Sequence, residues 1–168
     1  MRILVDADSC PRQVRELILR SSYRIKTPVV FAANHPIPGI EGEYTVFELC
    51  PPGEGSADNR IVDMAKPGDL AITRDIPLAE RLVEAQVCVL DDRGREYSKE
   101  NIKYCRSLRD FSLGLAKNGL GPERIALYGK KELKTFADNF DRVLTRMLKA
   151  KLRSIPLPLP LDTDSESV

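Results

Sequence analysis

A chain of 168 residues, 42% hydrophobic and 30% charged, is long enough for one ordinary domain with a real core. No apolar run approaches the roughly 20 residues of a membrane span, so no membrane partner is expected. The N-terminus enters a strand-like run with no basic-then-apolar leader, which makes cytoplasmic location the default.

The net charge of +1 hides an asymmetry. Residues 1–92 carry 10 Lys and Arg against 15 Asp and Glu, whereas 93–153 carry 16 against 7. An acidic half beside a basic half suits a polyanion that reaches a cation site. Solvated helix faces account for the same basic charges without any partner.

Arg2–Val5 reads as a first strand. Pro11 suits the first turn of a helix capped by Asp8 or Ser9, with Val14, Leu17 and Ile18 as its apolar stripe. Val29–Ala33 and Tyr44–Leu49 are the second and third strands, and Pro51–Gly55 is a loop. A short helix begins near Ala57 and stops before the turn Lys66-Pro67-Gly68-Asp69.

Leu70–Thr73 is the fourth strand, and Asp75 can cap a helix that holds Pro77 in its first turn. Val87–Leu90 is the fifth strand, closed by the turn Asp91-Asp92-Arg93-Gly94. Beyond residue 98 the pattern is helical. Glu132–Lys151 sets Leu133, Phe136, Phe140, Val143, Leu144 and Met147 on one face, a stripe that reads as core packing. The fold class is therefore α/β, a mostly parallel sheet flanked by helices with a helical C-terminal part. Residues 1–151 form a single domain, and the Pro-rich, acidic tail 152–168 is expected to be disordered.

Three of the strands release carboxylates at their C-terminal ends: Asp6 and Asp8, Asp75, and Asp91 with Asp92. That is the edge where open α/β sheets bind ligands. Two residues apart in a strand, Asp6 and Asp8 point to one side. Asp58 falls in the first turn of the short helix. Each acid also has a plain explanation, as a helix cap, a partner of a helix dipole or a turn residue.

Hard oxygen ligands without His or Cys select Mg²⁺ or Mn²⁺ over zinc. The four cysteines, Cys10, Cys50, Cys88 and Cys105, include no C-x-x-C pair, and a single histidine, His35, argues against a zinc site. Cys10 lies beside the first aspartates, where a thiol is either reactive or merely packed. Asp63 and Asp69 are set aside, the latter because it enters a strand at the opposite edge. Neither G-x-x-x-x-G-K-[ST] nor G-x-G-x-x-G is present, so no nucleotide cofactor is expected.

Val5-Asp6-Ala7-Asp8-Ser9-Cys10-Pro11, Ala32-Ala33-Asn34-His35-Pro36, Ala57-Asp58-Asn59-Arg60 and Gly68–Ala79 resemble the YaiI/YqxD family of uncharacterised bacterial proteins. So do Arg93-Gly94, Tyr97, Asn101-Ile102, Arg109-Asp110-Phe111 and Phe136–Asp141, over roughly residues 1–148. Gly119–Lys131 matches only through Gly121-Pro122.

The resemblance implies a three-layer PIN-like fold, the fold of a class of metal-dependent nucleases, with strand order 3-2-1-4-5. On that order Asp6 and Asp75 face each other across one cleft, and Asp58 corresponds to the acid that PIN-like enzymes carry on the preceding helix. The family has something like Asn-Pro-Arg-Gly where this chain has Asp91-Asp92-Arg93-Gly94, so neither acid is carried over as a ligand.

The expectation is a Mg²⁺- or Mn²⁺-dependent nuclease acting on RNA or another nucleic acid. Asp6, Asp58 and Asp75 hold the metal, and Asp8 acts beside them as a further ligand or water-orienting group. Arg12, Asn34, Arg74 and Arg109 are candidate phosphate contacts. The alternative is a non-catalytic RNA- or partner-binding module of the same fold. A haloacid-dehalogenase-like phosphatase ranks third, because Cys10 replaces the usual Thr or Val of its motif and no lysine falls between Thr73 and Asp91. The sequence sets no oligomeric state.

Overall fold

Each apolar run of the N-terminal part becomes a strand within one residue of its expected bounds. The structure is a computed structural model and describes residues 1–119 and 128–153. In chain order the elements are β1 (Ile3–Asp6), α1 (Arg12–Ile25), β2 (Val29–Ala33), β3 (Thr45–Leu49), α2 (Ser56–Met64), β4 (Leu70–Ile72), α3 (Ile76–Glu84), β5 (Cys88–Leu90), β6 (Glu96–Tyr97), α4 (Ile102–Lys117) and α5 (Lys130–Arg153).

The strands form one sheet in the order β3-β2-β1-β4-β5-β6. Strands β1 to β5 pair in parallel, and β6 adds antiparallel to β5. The expected order 3-2-1-4-5 is thus present, with β6 as an addition. Two residues carry no periodic signal, so β6 was not legible in the chain. It is held from the other side by Arg146 of α5, which grips Glu96.

Alternation along the strands builds two cores. Ile3, Val5, Val29, Phe31, Leu70 and Ile72 face one side, packed under α1 (Val14, Ile18) and α5 (Phe136, Phe140, Val143, Leu144). Leu4, Val30, Ala32, Ala71 and Val89 face the other, under α2 (Ala57, Ile61), α3 (Leu78, Leu82, Val83) and α4 (Ile102, Cys105). The result is a three-layer α/β arrangement in which both faces of the central strands are dry. The stripe on α5 is core packing, with the Phe136 and Phe140 rings stacked at 5.2 Å.

Gly94 fixes how closely α5 lies on the turn after β5. Its φ is +84°, and a Cβ there would stand 2.9 Å from the Thr135 carbonyl oxygen and 3.0 Å from Phe136 Cα. Only a glycine meets both demands. At the opposite edge, Asp69 is buried against Arg2. It accepts from the Arg2 backbone N–H at 2.8 Å and from the guanidinium at 2.6 Å, which is a structural role.

Two boundary expectations change. Pro11 is the N-cap of α1, with no side-chain cap, so neither Asp8 nor Ser9 serves there. Helix α5 runs through Arg153, past the expected domain limit of 151, while Gly121, Pro122 and the tail from 154 onward lie outside the described residues. Among the described residues no helix is long and apolar enough to cross a membrane.

Candidate functional site

The order of the sheet reverses between β1 and β4, and the crevice beyond their C-terminal ends is the natural ligand site of such a fold. Asp6 is the last residue of β1 and is only 5% exposed. Two hydroxyls meet its Oδ2: Ser9 from the following turn at 2.6 Å, and Thr73 from the end of β4 at 2.9 Å. A buried carboxylate needs such donors, and these two leave Oδ1 outside the pair of bonds.

Thr73 also accepts from the backbone N–H of Asp75 at 3.0 Å. Asp75 in turn caps α3, its Oδ1 accepting from Leu78 N–H at 2.7 Å. The expected capping role is therefore present. It orients the side chain without occupying Oδ2.

Asp58 sits in the first turn of α2, whose N-cap is Gly55 at φ +75°. Burial raises its pKa above the ordinary value, followed by the negative charges of Asp6 and Asp75. Arg81 opposes the shift, and Asp8 adds to it. Four carboxylates are thus electrostatic neighbours at one edge, with Arg81 as the opposing charge.

They are not a finished coordination set. Among the described residues no three His, Cys, Asp or Glu side chains are gathered as metal ligands. The charges interact over a longer range than ligands must reach, and each acid is turned by its own partner: Asp6 by hydroxyls, Asp75 by a helix N–H. In kind, an all-oxygen donor set with unbalanced negative charge fits a hard divalent cation.

Asp8 departs from expectation. Strand β1 ends at Asp6, and Asp8 lies in the turn beyond it, so strand alternation does not aim it with Asp6. Its Oδ2 accepts from the backbone N–H of Asn34 at 3.0 Å, and its Oδ1 pairs with His35 Nδ1 at 2.9 Å. Asp8 is thereby tied to the loop after β2.

The pair Asp91 and Asp92 divides cleanly. Asp91 is a turn residue, its Oδ1 accepting from Arg93 and Arg95 N–H at 2.9 and 2.8 Å. Asp92 is 2% exposed, and its Oδ2 makes no hydrogen bond. Arg74 Nε lies 3.4 Å from that oxygen, close enough for an ion pair but outside hydrogen-bond geometry. Burial raises the Asp92 pKa, and Arg74 works against the rise.

Of the other candidate contacts, Arg74 is therefore bound to Asp92, and Asn34 serves Asp8 through its backbone. Arg12 pairs with Glu16 along α1 at 2.8 Å, and Arg109 with Asp110 on α4 at 3.4 Å. Neither of these two ion pairs involves an acid of the cluster. Cys10 is buried in the core, and burial pushes its thiol up to about 12, which favours packing over reactivity.

Ser9, Thr73 and His35 join the site without having been singled out. A usable signal existed for Thr73, a hydroxyl two residues before a strand-end aspartate. His35 likewise follows the end of β2 as the acids follow β1 and β4.

A family model described as "Uncharacterized BCR, YaiI/YqxD family" matches residues 4–146. The chain belongs to that family. Among curated proteins it is 42% identical over 151 residues to a "UPF0178 protein" of Treponema denticola, covering 90% of this chain and 96% of that one. A UPF0178 protein of Treponema pallidum is 39% identical over 153 residues, covering 91% and 86%. One of Syntrophobacter fumaroxidans is 43% identical over 155 residues, covering 89% and 97%. No solved structure matches the chain. For this member of the family, every acid of the cluster lies inside the matched span.

Proposed function

We propose that this protein is a cytoplasmic, Mg²⁺- or Mn²⁺-dependent phosphodiesterase of the PIN-like class that hydrolyses RNA. The observation that carries the reading is geometric: β1 and β4 are neighbours in the sheet, and Thr73 at the end of β4 bonds the Asp6 carboxylate and the Asp75 backbone at one ligand edge. Burial first, and then the charges of Asp6, Asp75 and Asp8, raise the pKa of Asp58 beside them.

Asp6, Asp58 and Asp75 are the residues to hold the cation. When bound, such an ion polarises a phosphoryl oxygen and lowers the pKa of a water molecule. Ser9 and Thr73 fix the Asp6 carboxylate, and the N-terminus of α3 fixes Asp75. Arg74, half exposed and paired with Asp92, and Arg81, whose charge acts on Asp58, are the cations available to a phosphate oxygen. The excess of 16 basic over 7 acidic residues in 93–153 favours a polyanionic substrate.

One observation favours a second reading. Because no three acids are gathered as ligands, a protein that binds nucleic acid without turnover is also consistent with the described residues. Calorimetric titration with Mn²⁺, followed by cleavage assays on mixed RNAs in nuclease-free preparations, separates the two. Mn²⁺ binding with cleavage that Asp75→Asn abolishes supports the phosphodiesterase. Salt-sensitive RNA binding without cleavage supports the binding module.

A further inference from the structure

Helix α4 buries only its first turn. Ile102 and Cys105 enter the core, and Arg106 pairs with Glu80 of α3. Further along, Tyr104 is 66% exposed, Leu108 44% and Phe111 64%, and Leu115 is half-buried. With Leu113, half of the exposed large hydrophobic side chains of the described residues stand on this one helix. A concentration of that kind marks an interaction surface.

At 3.6 residues per turn, Tyr104, Leu108, Phe111 and Leu115 fall on one line, within about 60° of arc. Leu113 lies on another side and takes no part. The spacing of four, three and four is that of a coiled-coil seam, and it reads the same in both directions. Two copies laid antiparallel about a twofold axis between Leu108 and Phe111 set Tyr104 against Leu115 and Leu108 against Phe111, each twice.

Charge favours the same occupant. Lys103, Arg106, Arg109, Asp110 and Lys117 all fall more than about 100° from the centre of the line, whereas its flanks are Ser107, Ser112, Gly114 and Asn118. Self-pairing therefore brings no like charges together, and the line offers a nucleic acid no cation. At about 150–250 Å² per aromatic side chain, four rings that are each two-thirds exposed supply roughly 400–650 Å² before the leucines are added. The total is on the order of 1,000 Å², the small end of specific interfaces.

We infer that α4 is the interface of a reversible, twofold-symmetric homodimer, closed by Tyr104, Leu108, Phe111 and Leu115 against the same line of a second copy. The inference stands apart from the phosphodiesterase reading.

Sedimentation of the full chain, treated with nuclease, tests it. The weight-average mass is expected to rise from 18.8 kDa towards twice that value between about 1 and about 500 µM. Phe111→Asp and Leu108→Asp are each expected to raise the dissociation constant at least about 30-fold. Both side chains are exposed, so both variants are expected to melt near the wild type. On oxidation, Tyr104→Cys mixed with Leu115→Cys is expected to cross-link, and neither alone. A wild type that stays monomeric across that range overturns the inference, whether residues 120–127 or another partner cover the line. So does a Phe111→Asp protein that dimerises like the wild type, or Tyr104→Cys that links to itself as fast as to Leu115→Cys. A dimer that forms only without nuclease treatment makes nucleic acid the occupant and overturns it too.

Discussion

The Thr73 hydroxyl donates to Asp6 Oδ2 across the seam between β4 and β1, at 2.9 Å, and accepts the Asp75 backbone N–H at 3.0 Å. One buried side chain thus holds the Asp6 carboxylate and the backbone of Asp75. Thr73→Val removes both bonds while keeping the shape. It is expected to cost about 1–3 kcal/mol in urea unfolding, because Asp6 Oδ2 keeps only the Ser9 hydroxyl and the Asp75 N–H loses its acceptor. Mn²⁺ affinity is expected to fall roughly 10–100-fold, as it does when a partner behind a ligand is lost. Thr73→Ser is expected to restore most of both.

Asp75 caps α3 and is proposed to hold the cation, and substitutions separate the two. Asparagine caps a helix about as well as aspartate, so Asp75→Asn is expected to melt near the wild type yet lose Mn²⁺ binding. Asp75→Ala loses the bond to Leu78 N–H as well and is expected to cost a further ~1 kcal/mol. Paired thermal melts and calorimetry check both, and a D75N protein that binds Mn²⁺ like wild type contradicts the ligand assignment.

Asp58 gives a pH dependence with a definite sign. Its folded pKa is raised, so the folded chain keeps a proton that the unfolded chain releases. The resulting penalty is absent below the ordinary carboxylate pKa and grows as pH rises through the raised value. Asp58→Asn is therefore expected to raise Tm at pH 7, and the gain should vanish on acidification to about 3.5. A gain that is constant with pH points instead to packing.

Gly94→Ala tests how α5 is seated. The added Cβ meets backbone atoms of Thr135 and Phe136, and the left-handed φ of +84° disfavours any side chain. Strain and overpacking together are expected to cost about 2–4 kcal/mol in denaturant unfolding. A neutral effect shows that α5 can shift outward at no cost.

Much of the architecture was legible because both sheet faces are buried and strands such as Val29–Ala33 are unbroken apolar runs. The sheet order was not, since nothing in one strand names its neighbour; it came from the family resemblance. Asp8 was misaimed because β1 ends at Asp6, and alternation cannot be carried past the last paired residue. Asp91 and Asp92 are indistinguishable as letters. Only the turn shows one saturated by backbone N–H groups and the other buried on Arg74. Thr73 and His35 escaped notice because hydroxyl and imidazole roles depend on contacts 67 and 27 residues away in sequence.

That distance has a kinetic side. Pairing β1 with β4 closes a long loop, and only after this closure can the Thr73 hydroxyl reach Asp6. Long-range parallel contacts form slowly because chain entropy is lost before they reward it. In a nascent or partly folded chain the acids are scattered and the Asp8–His35 contact is unmade. Whatever this edge binds therefore meets it only on a completed sheet. Ligand binding reports finished molecules and, by mass action, holds them folded.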